Sequence, residues 1–213
     1  MNMKLYEYFR SSASYRVRIA LNLKALTAEA VQIHLLRDGG EQFAPAFRAI
    51  NPQARVPALV LGDGTALIQS PAILEWLDET FPNPPLLPSD PLARAKIRGM
   101  AALIACDIHP LNNLAVLVYL REQFNADEAA VNTWYRHWIA TGFAALEQLV
   151  GAPFAAGDEI TLADVYLVPQ VANARRFSLD LAPFPRIAAI EHACLALQPF
   201  ADARPEAQPA ASM

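Results

Sequence analysis

Few side chains in this 213-residue chain are placed to do chemistry unaided, and their spacing narrows what that chemistry is. The segment Phe9-Arg10-Ser11-Ser12-Ala13-Ser14-Tyr15-Arg16 follows a β-prone run and opens a helix. Free N–H groups and the helix dipole favour an anion at such a place. Hydroxyls there can hydrogen-bond a bound thiolate and lower its pKa, as helix N-termini do for cysteines. The same serines also suit plain helix capping, the commoner use of serine at a strand-to-helix turn. In a second segment, Ala54-Arg55-Val56-Pro57-Ala58-Leu59, proline falls inside a β-rich run. Proline there belongs at an edge or turn, and a cis bond is one way to accommodate it. Val56 then offers its backbone N–H and C=O to an extended ligand by strand addition; an ordinary edge strand that begins at proline is the alternative. Gln69-Ser70 stands at another helix N-terminus, which suits a carboxylate. One strand edge and two helix N-termini together suit a small anionic peptide.

Other chemistries lack their residues. There is no Gly-x-Gly-x-x-Gly, phosphate loop, His-Glu-x-x-His or Cys-x-x-Cys, and Gly39-Gly40 and Gly62-x-Gly64 read as turn glycines. No Gly-x-Ser-x-Gly elbow supports a Ser–His–Asp triad. The two cysteines, Cys106 and Cys194, make neither a disulfide framework nor a zinc site, so no metal is expected. Both fall on helical stretches, where they are expected to be buried and inert. A net charge of −4 argues against a nucleic-acid surface. No uninterrupted apolar run nears the ~20 residues a bilayer requires; the longest, Met100–Cys106, soon meets Asp107, His109 and Pro110. Met1–Lys4 leads into Glu7–Phe9 without an apolar stretch, so no signal peptide and a cytoplasmic location are expected.

The elements that must position these residues follow from periodicity. Lys4–Tyr8, Ala30–Leu35, Val56–Leu61 and Ala66–Ile68 read as strands, and Gly62-Asp63-Gly64-Thr65 between the last two is a hairpin signal. Ser14–Leu26, Gln42–Ile50 and Ser70–Phe81 read as helices, the last with Ser70 as N-cap and Pro71 at N1. The order β-α-β-α-β-β-α is an α/β unit over residues 1–83. The proline-rich stretch 84–91 reads as an extended linker. Beyond it everything reads helical: Leu92–Phe124 with a break at Pro110, Asp127–Leu149, Thr161–Phe177 and Pro185–Leu197. Thr161 and Asp164 have the spacing of a capping box, with Ile160 and Val165 placed for the hydrophobic staple. The expected fold is α/β plus all-α, with a helical domain over 92–201 and a flexible tail over 202–213.

These segments resemble the zeta class of glutathione transferases. The motifs that carry the resemblance are Tyr8-Phe9-Arg10-Ser11-Ser12-Ala13-Ser14-Tyr15-Arg16-Val17-Arg18-Ile19-Ala20-Leu21, Asp38-Gly39-Gly40-Glu41-Gln42-Phe43, Asn51-Pro52, Val56-Pro57, Gln69-Ser70, Ile108-His109-Pro110-Leu111-Asn112-Asn113 and Gly157-Asp158-x-x-Thr161-Leu162-Ala163-Asp164. Val-Pro and Gln-Ser recur across many glutathione transferases, whereas Ser-Ser-x-Ser-x-Arg and Asp-Gly-Gly discriminate. The resemblance covers the chain up to about Phe200.

The resemblance implies a thioredoxin-like domain followed by a helical bundle, a homodimer, and glutathione as the thiol cofactor. It makes Ser11 and Ser12 catalytic, with Ser11 stabilising the thiolate. Val56, before a cis Pro57, matches the residue that pairs with the cysteinyl part of glutathione. Gln69 and Ser70 match the γ-glutamyl binders, Gln42 lies near the glycyl end, and His109 and Asn113 match contacts from the helical domain. Arg10 and the pair Arg175-Arg176 are placed for the acidic substrate; adjacent helical residues point about 100° apart, so one of the pair is expected to face it, with Arg176 preferred. The implied activity is isomerisation of maleylacetoacetate, an unsaturated diketo dicarboxylic acid, to fumarylacetoacetate in tyrosine and phenylalanine breakdown, by thiolate addition, bond rotation and elimination. Maleylpyruvate or small α-halo acids are alternative substrates, and a non-catalytic glutathione-binding protein is the alternative of another class. Leu114-Ala115 follows Asn113 where some relatives that isomerise maleylpyruvate carry arginine. Ala13 stands where most animal members carry cysteine, which removes an enzyme thiol from that position.

Overall fold

A computed structural model describes residues 2–212. The described residues form two compact units, one of residues 2–85 together with 196–212 and one of residues 86–195.

The first unit is a four-stranded mixed sheet with helices. Its elements are β1 (Lys4–Glu7), α1 (Ser12–Leu23), β2 (Glu29–Gln32), two 3₁₀ turns (Arg37–Gly39 and Glu41–Phe43), α2 (Pro45–Arg48), β3 (Ala58–Val60), β4 (Ala66–Ile68) and α3 (Ser70–Thr80). The strands lie in the order β2-β1-β3-β4. β1 pairs with β2 in parallel (Lys4 with Glu29), and α1 supplies the crossover that a parallel pair requires. β3 runs antiparallel to both β1 (Tyr6 with Ala58) and β4 (Ala58 with Ile68). The β3–β4 hairpin closes as its residues dictate: Gly64 takes φ +89°, and the Asp63 carboxylate accepts the Thr65 N–H at 2.9 Å.

α1 is buried from Ser12 to Leu21, more than one apolar stripe requires. The cause lies at the other end of the sequence. Where a flexible tail is expected over 202–213, the described residues form a helix, α10 (Gln198–Ala203), and two 3₁₀ turns (Pro205–Ala207 and Pro209–Ser212), Met213 lying outside the described residues; α10 packs on α1 and belongs to the first unit. Phe200 is fully buried there, and the Tyr15 hydroxyl, Arg18 Nε and Asn22 Nδ2 donate to the carbonyls of Phe200, Ala203 and Pro199. Lys24, at the far end of α1, buries its ammonium against the Asp78 carboxylate (2.8 Å) and the carbonyls of Phe81 and Pro84.

The second unit is wholly helical: α4 (Pro91–Ala102), a π-turn (Leu103–Ile108), α5 (His109–Asn112), α6 (Leu114–Phe124), α7 (Glu128–Leu149), α8 (Leu162–Arg176) and α9 (Pro185–Leu195). Asp90, Asn113 and Asp127 cap α4, α6 and α7 by accepting the N–H groups of Ala93, Val116 and Ala130. The stretch Pro91–Phe124 is long and apolar enough, by length and composition, to cross a membrane, yet it is interrupted. The break falls at Asn113, whose backbone is extended, rather than at Pro110, which sits in α5 directly after the π-turn. Gly142 of α7 lies where the π-turn crosses it: a Cβ there would stand 2.3 Å from Ile108 Cδ1, so the Ile108 side chain would have to shift.

α8 is the core helix, buried along most of its length. Its capping box forms: the Asp164 carboxylate accepts the Thr161 N–H at 2.8 Å and the Ala155 N–H at 2.7 Å. Burial nonetheless lifts the Asp164 carboxyl above its ordinary range against these bonds. Part of the expected linker is core as well: Leu86 and Leu87 are buried, and the Leu86 carbonyl accepts the Leu162 N–H at 2.8 Å.

Candidate functional site

Strand direction gathers the first unit's candidates. β1, β2 and β4 end where β3 begins, so Tyr8–Ser12, Ile33–Gln42, Val56–Pro57 and Gln69–Ser70 share one end of the sheet. α1 and α3 both start there, each presenting its first-turn N–H groups and the positive end of its dipole. A buried side chain joins them: Arg16 Nη1 donates to Ser70 Oγ at 3.3 Å.

Ser11 is the N-cap of α1, with extended backbone, and its Oγ accepts the Ser14 N–H at 3.2 Å. The helix therefore opens at Ser12, two residues before its apolar period shows. Capping engages only an acceptor lone pair, which leaves the Ser11 hydroxyl proton to donate to an anion. Both readings of the serine cluster are compatible in one residue. Ser12 is buried and Arg10 is exposed, with the Arg10 guanidinium 5.0 Å from the centre of the Phe9 ring.

Val56 precedes a cis peptide bond to Pro57 and lies outside the sheet ladder, which starts at Ala58. The turn before it is held by buried Asn51, which donates to the Arg55 carbonyl at 2.6 Å and accepts the Gln53 N–H at 3.0 Å. The N-cap of α3 is Gln69 rather than Ser70, and Gln69 adopts φ +69° and ψ 117°. A non-glycine residue held there costs of order 1–3 kcal/mol and is a recurrent feature of ligand sites. Its amide donates to the Gln53 side chain at 2.6 Å. Gln42 is buried, its Nε2 turned to the Leu35 carbonyl at 3.4 Å. His34 and Glu41 brace that loop: Glu41 accepts the His34 N–H (2.7 Å), and His34 Nδ1 accepts the Arg37 N–H (2.8 Å).

The remaining candidates belong to the second unit. Asn113 caps α6 and also donates to the Pro110 carbonyl at 2.6 Å, so both ends of its amide serve the α5–α6 corner. His109 opens α5 on the same corner. The arginine pair divides clearly. Arg175 is held by the buried Glu191 carboxylate, with Nε 2.9 Å from each oxygen and Nη2 also bonded. Arg176 lies 5.0 Å from the Phe177 ring centre and 3.5 Å from the Tyr135 hydroxyl. Tyr135 is itself stacked on Phe177 at 3.5 Å, and burial raises its phenol pKa against the pull of Arg176. Arg176 alone of the pair has no carboxylate partner among the described ion pairs. Cys194 is buried as expected and its thiol is pushed up by burial, but Cys106 is exposed, correcting its expected burial.

Arg16, Asn51 and Gln53 carry no site role in the reading of the sequence, although Arg16 and Asn51 stand in its motifs. The signal for Arg16 was a charged residue directly before Val17 and three positions before Ile19, in a helix that proves buried from Ser12 to Leu21. The signal for Asn51 was an Asn-Pro turn just upstream of Val56.

This geometry is that of a known family. Residues 10–80 match the model of the glutathione S-transferase N-terminal domain. A maleylacetoacetate isomerase of Pseudomonas aeruginosa is 53% identical over 208 residues, covering 97% of this chain and 98% of that protein. A maleylpyruvate isomerase of a Ralstonia species is 51% identical over 212 residues, covering 97% and 99%. Among solved structures, the holo form of a maleylpyruvate isomerase, described as a bacterial zeta-class glutathione S-transferase, superposes with a TM-score of 0.92 at 50% identity over 97% of this chain and 98% of that one. A maleylacetoacetate isomerase of Methylobacterium extorquens with bound malonate and GSH (glutathione) superposes with a TM-score of 0.93 at 41% identity, covering 98% and 99%. The chain belongs to the zeta class of glutathione transferases, a family of enzymes that includes maleylacetoacetate and maleylpyruvate isomerases.

Proposed function

We propose that this chain is a glutathione-dependent cis–trans isomerase that converts maleylacetoacetate to fumarylacetoacetate. The observation that carries the reading is the meeting of two helix N-termini at one sheet end, with Ser11 on one and the Arg16–Ser70 bond joining it to the other. Two anionic groups are needed to use such a pair of donor clusters, and glutathione offers a thiolate and an α-carboxylate. Its thiolate supplies a nucleophile that adds to the conjugated alkene, permits rotation about the resulting single bond and leaves again.

The chain's own residues do the rest. Ser11 donates its hydroxyl proton to the sulfur, and the start of α1, with Ser12 in its first turn, adds N–H groups and the positive end of the dipole. Ser70 and the start of α3 take the γ-glutamyl carboxylate, with Gln69 beside them. Val56 pairs its backbone with the cysteinyl part, Gln42 serves the glycyl end, and His109 and Asn113 contribute contacts from the helical unit. Arg10 and Arg176 hold the acid and the negative charge that develops on its carbonyl, as fixed electrostatic partners. Arg175, occupied by Glu191, is left out of that task.

Maleylacetoacetate ranks ahead of maleylpyruvate because Leu114-Ala115 follow Asn113, leaving no second cation there for the shorter acid. We further propose a cytoplasmic homodimer without nucleic-acid or membrane partners. The net charge of −4 and the break at Asn113 support this, and exposed Leu92, Tyr119 and Phe124 supply apolar surface for a second subunit. The test is turnover of maleylacetoacetate and maleylpyruvate with and without glutathione, for the parent chain and Ser11→Ala. A rate that needs glutathione, is faster on maleylacetoacetate and falls about a hundredfold in Ser11→Ala is expected. A glutathione-independent rate, or full activity in Ser11→Ala, overturns the assignment.

A further inference from the structure

We propose that Arg18 is a positioning residue for the Ser11 hydroxyl, fixing the Phe9 carbonyl and with it the Tyr8–Ser11 turn while anchored to Glu7 of β1 and Ala203 of α10. The inference rests on the role of Ser11 given above. Arg18 is buried on α1, and its planar fork reaches three elements at once. Nη2 donates to the Phe9 carbonyl at 3.0 Å, Nη1 to the Glu7 carboxylate at 2.5 Å, and Nε to the Ala203 carbonyl at 2.9 Å. The second Glu7 oxygen accepts the Gln32 side chain at 3.1 Å, which adds β2 to the network.

Phe9 lies two residues before Ser11, inside the turn that the Ser11 N–H closes on the Tyr8 carbonyl at 2.9 Å. A buried turn carbonyl must find a donor, and the donor here comes from a rigid guanidinium whose other bonds leave it no freedom. The ion pair is neutral overall, so its effect at the sulfur site is geometric. Stability alone is a weak reason for such a pair, since apolar residues of the same volume hold a core equally well. What a fork adds is direction: lysine places one point charge and cannot serve three acceptors at fixed angles. α10, from the far end of the chain, thereby becomes part of the support of the catalytic turn.

The experiment compares the parent with the double variant Glu7→Gln/Arg18→Met, which leaves no stray buried charge, and with Arg18→Lys. Folding is verified by circular dichroism and thermal unfolding. Turnover is measured against glutathione concentration and pH, and the bound thiolate is read by its ultraviolet absorbance. The expected result is a fall in kcat of about tenfold or more, with less bound thiolate at neutral pH and a pH profile displaced upward. The KM for glutathione should stay within about threefold, because its other binders are untouched. Arg18→Lys should recover only part of the loss. A folded double variant with kcat within about twofold of the parent and an undisplaced pH profile overturns the proposal. Should the double variant not fold, Arg18→Lys is judged by the same two outcomes. Ser11→Ala in the same assays separates the two ideas. If Ser11→Ala is fully active, the role of Ser11 fails; if it is inactive while the folded Arg18 variants match the parent, only the role of Arg18 fails.

Discussion

The Arg16 guanidinium donates to the Ser70 hydroxyl across 54 positions of sequence, so the opening turns of α1 and α3 are bonded to each other directly. Two donor clusters on helices that already pack against each other are thereby held at one spacing. The ligand that uses both must match that spacing, which is a stronger restriction than either helix imposes alone.

Ser70→Ala removes the hydroxyl from this bond and from the proposed carboxylate site. A hydrogen bond to a charged group contributes about 1.5–3 kcal/mol, so the KM for glutathione should rise about tenfold or more. Turnover at saturating glutathione should change much less, because Ser11 is untouched. Steady-state kinetics with glutathione varied at fixed acid substrate would show the split; an unchanged KM would remove Ser70 from the site.

The two neighbouring arginines should separate by readout. Arg176→Ala is expected to raise the KM for the acid substrate about tenfold while the melting temperature stays near the parent value. Arg175→Ala leaves Glu191, only 4% exposed, without its guanidinium, and should destabilise the fold by about 1–3 kcal/mol with substrate KM little changed. Thermal unfolding and kinetics on both variants check the pair, and reversed effects would exchange the assignments.

Asp164 carries a pH signature in its stability. Burial raises its carboxyl above the ordinary value of 3.8, so the folded state holds a proton more tightly than the unfolded chain. The sign follows from linkage: the contribution is fully present below the unfolded value and is lost as pH rises through the elevated folded one. The stability margin of the parent over Asp164→Asn should therefore be widest in acid and shrink towards neutrality. At neutral pH a margin of about 1–3 kcal/mol should remain, because one amide oxygen cannot replace both carboxylate bonds. Urea unfolding of both proteins from acidic to neutral pH measures this, and a margin that widens with pH would refute it.

The cysteines should behave as a pair of opposites. Cys106 is exposed, while Cys194 is buried with its thiol raised by desolvation and by the nearby Asp164. A thiol reagent should titrate one cysteine per folded chain and both after denaturation. Cys106→Ser should abolish the native reaction and leave isomerase turnover unchanged, since the reacting sulfur is glutathione's. Loss of turnover in that variant would show that an enzyme thiol takes part.

Much of this was legible in the residues, and the failures have physical causes. The hairpin at Gly62–Thr65 and the capping box at Thr161–Asp164 are local, each written in a few adjacent positions, and both formed as read. Strand order and α10 depend on partners far away in sequence. The six residues of α10 are too few to display a helical period, and they pack mainly on α1. Ser70 looked like the cap of α3 because serine favours that place, yet a glutamine with positive φ holds it. The Ser11 cluster presented capping and anion binding as rivals, and the geometry lets one hydroxyl do both. Arg175 and Arg176 were indistinguishable until Glu191, on another helix, took one of them.

The placement of α10 has a further consequence for how the molecule is made. A ribosome delivers β1 and α1 first, but the acceptors for Tyr15, Arg18 and Asn22 lie at residues 200, 203 and 199. Every helix of the second unit emerges before them. The half of the protein that begins synthesis is thus the half that is sealed last, and until then α1 keeps a buried cation and an apolar flank waiting for cover. A nascent chain stalled before residue 199 carries the serine turn without the brace that α10 gives α1, a stage at which a cell's holding chaperones would find their surface.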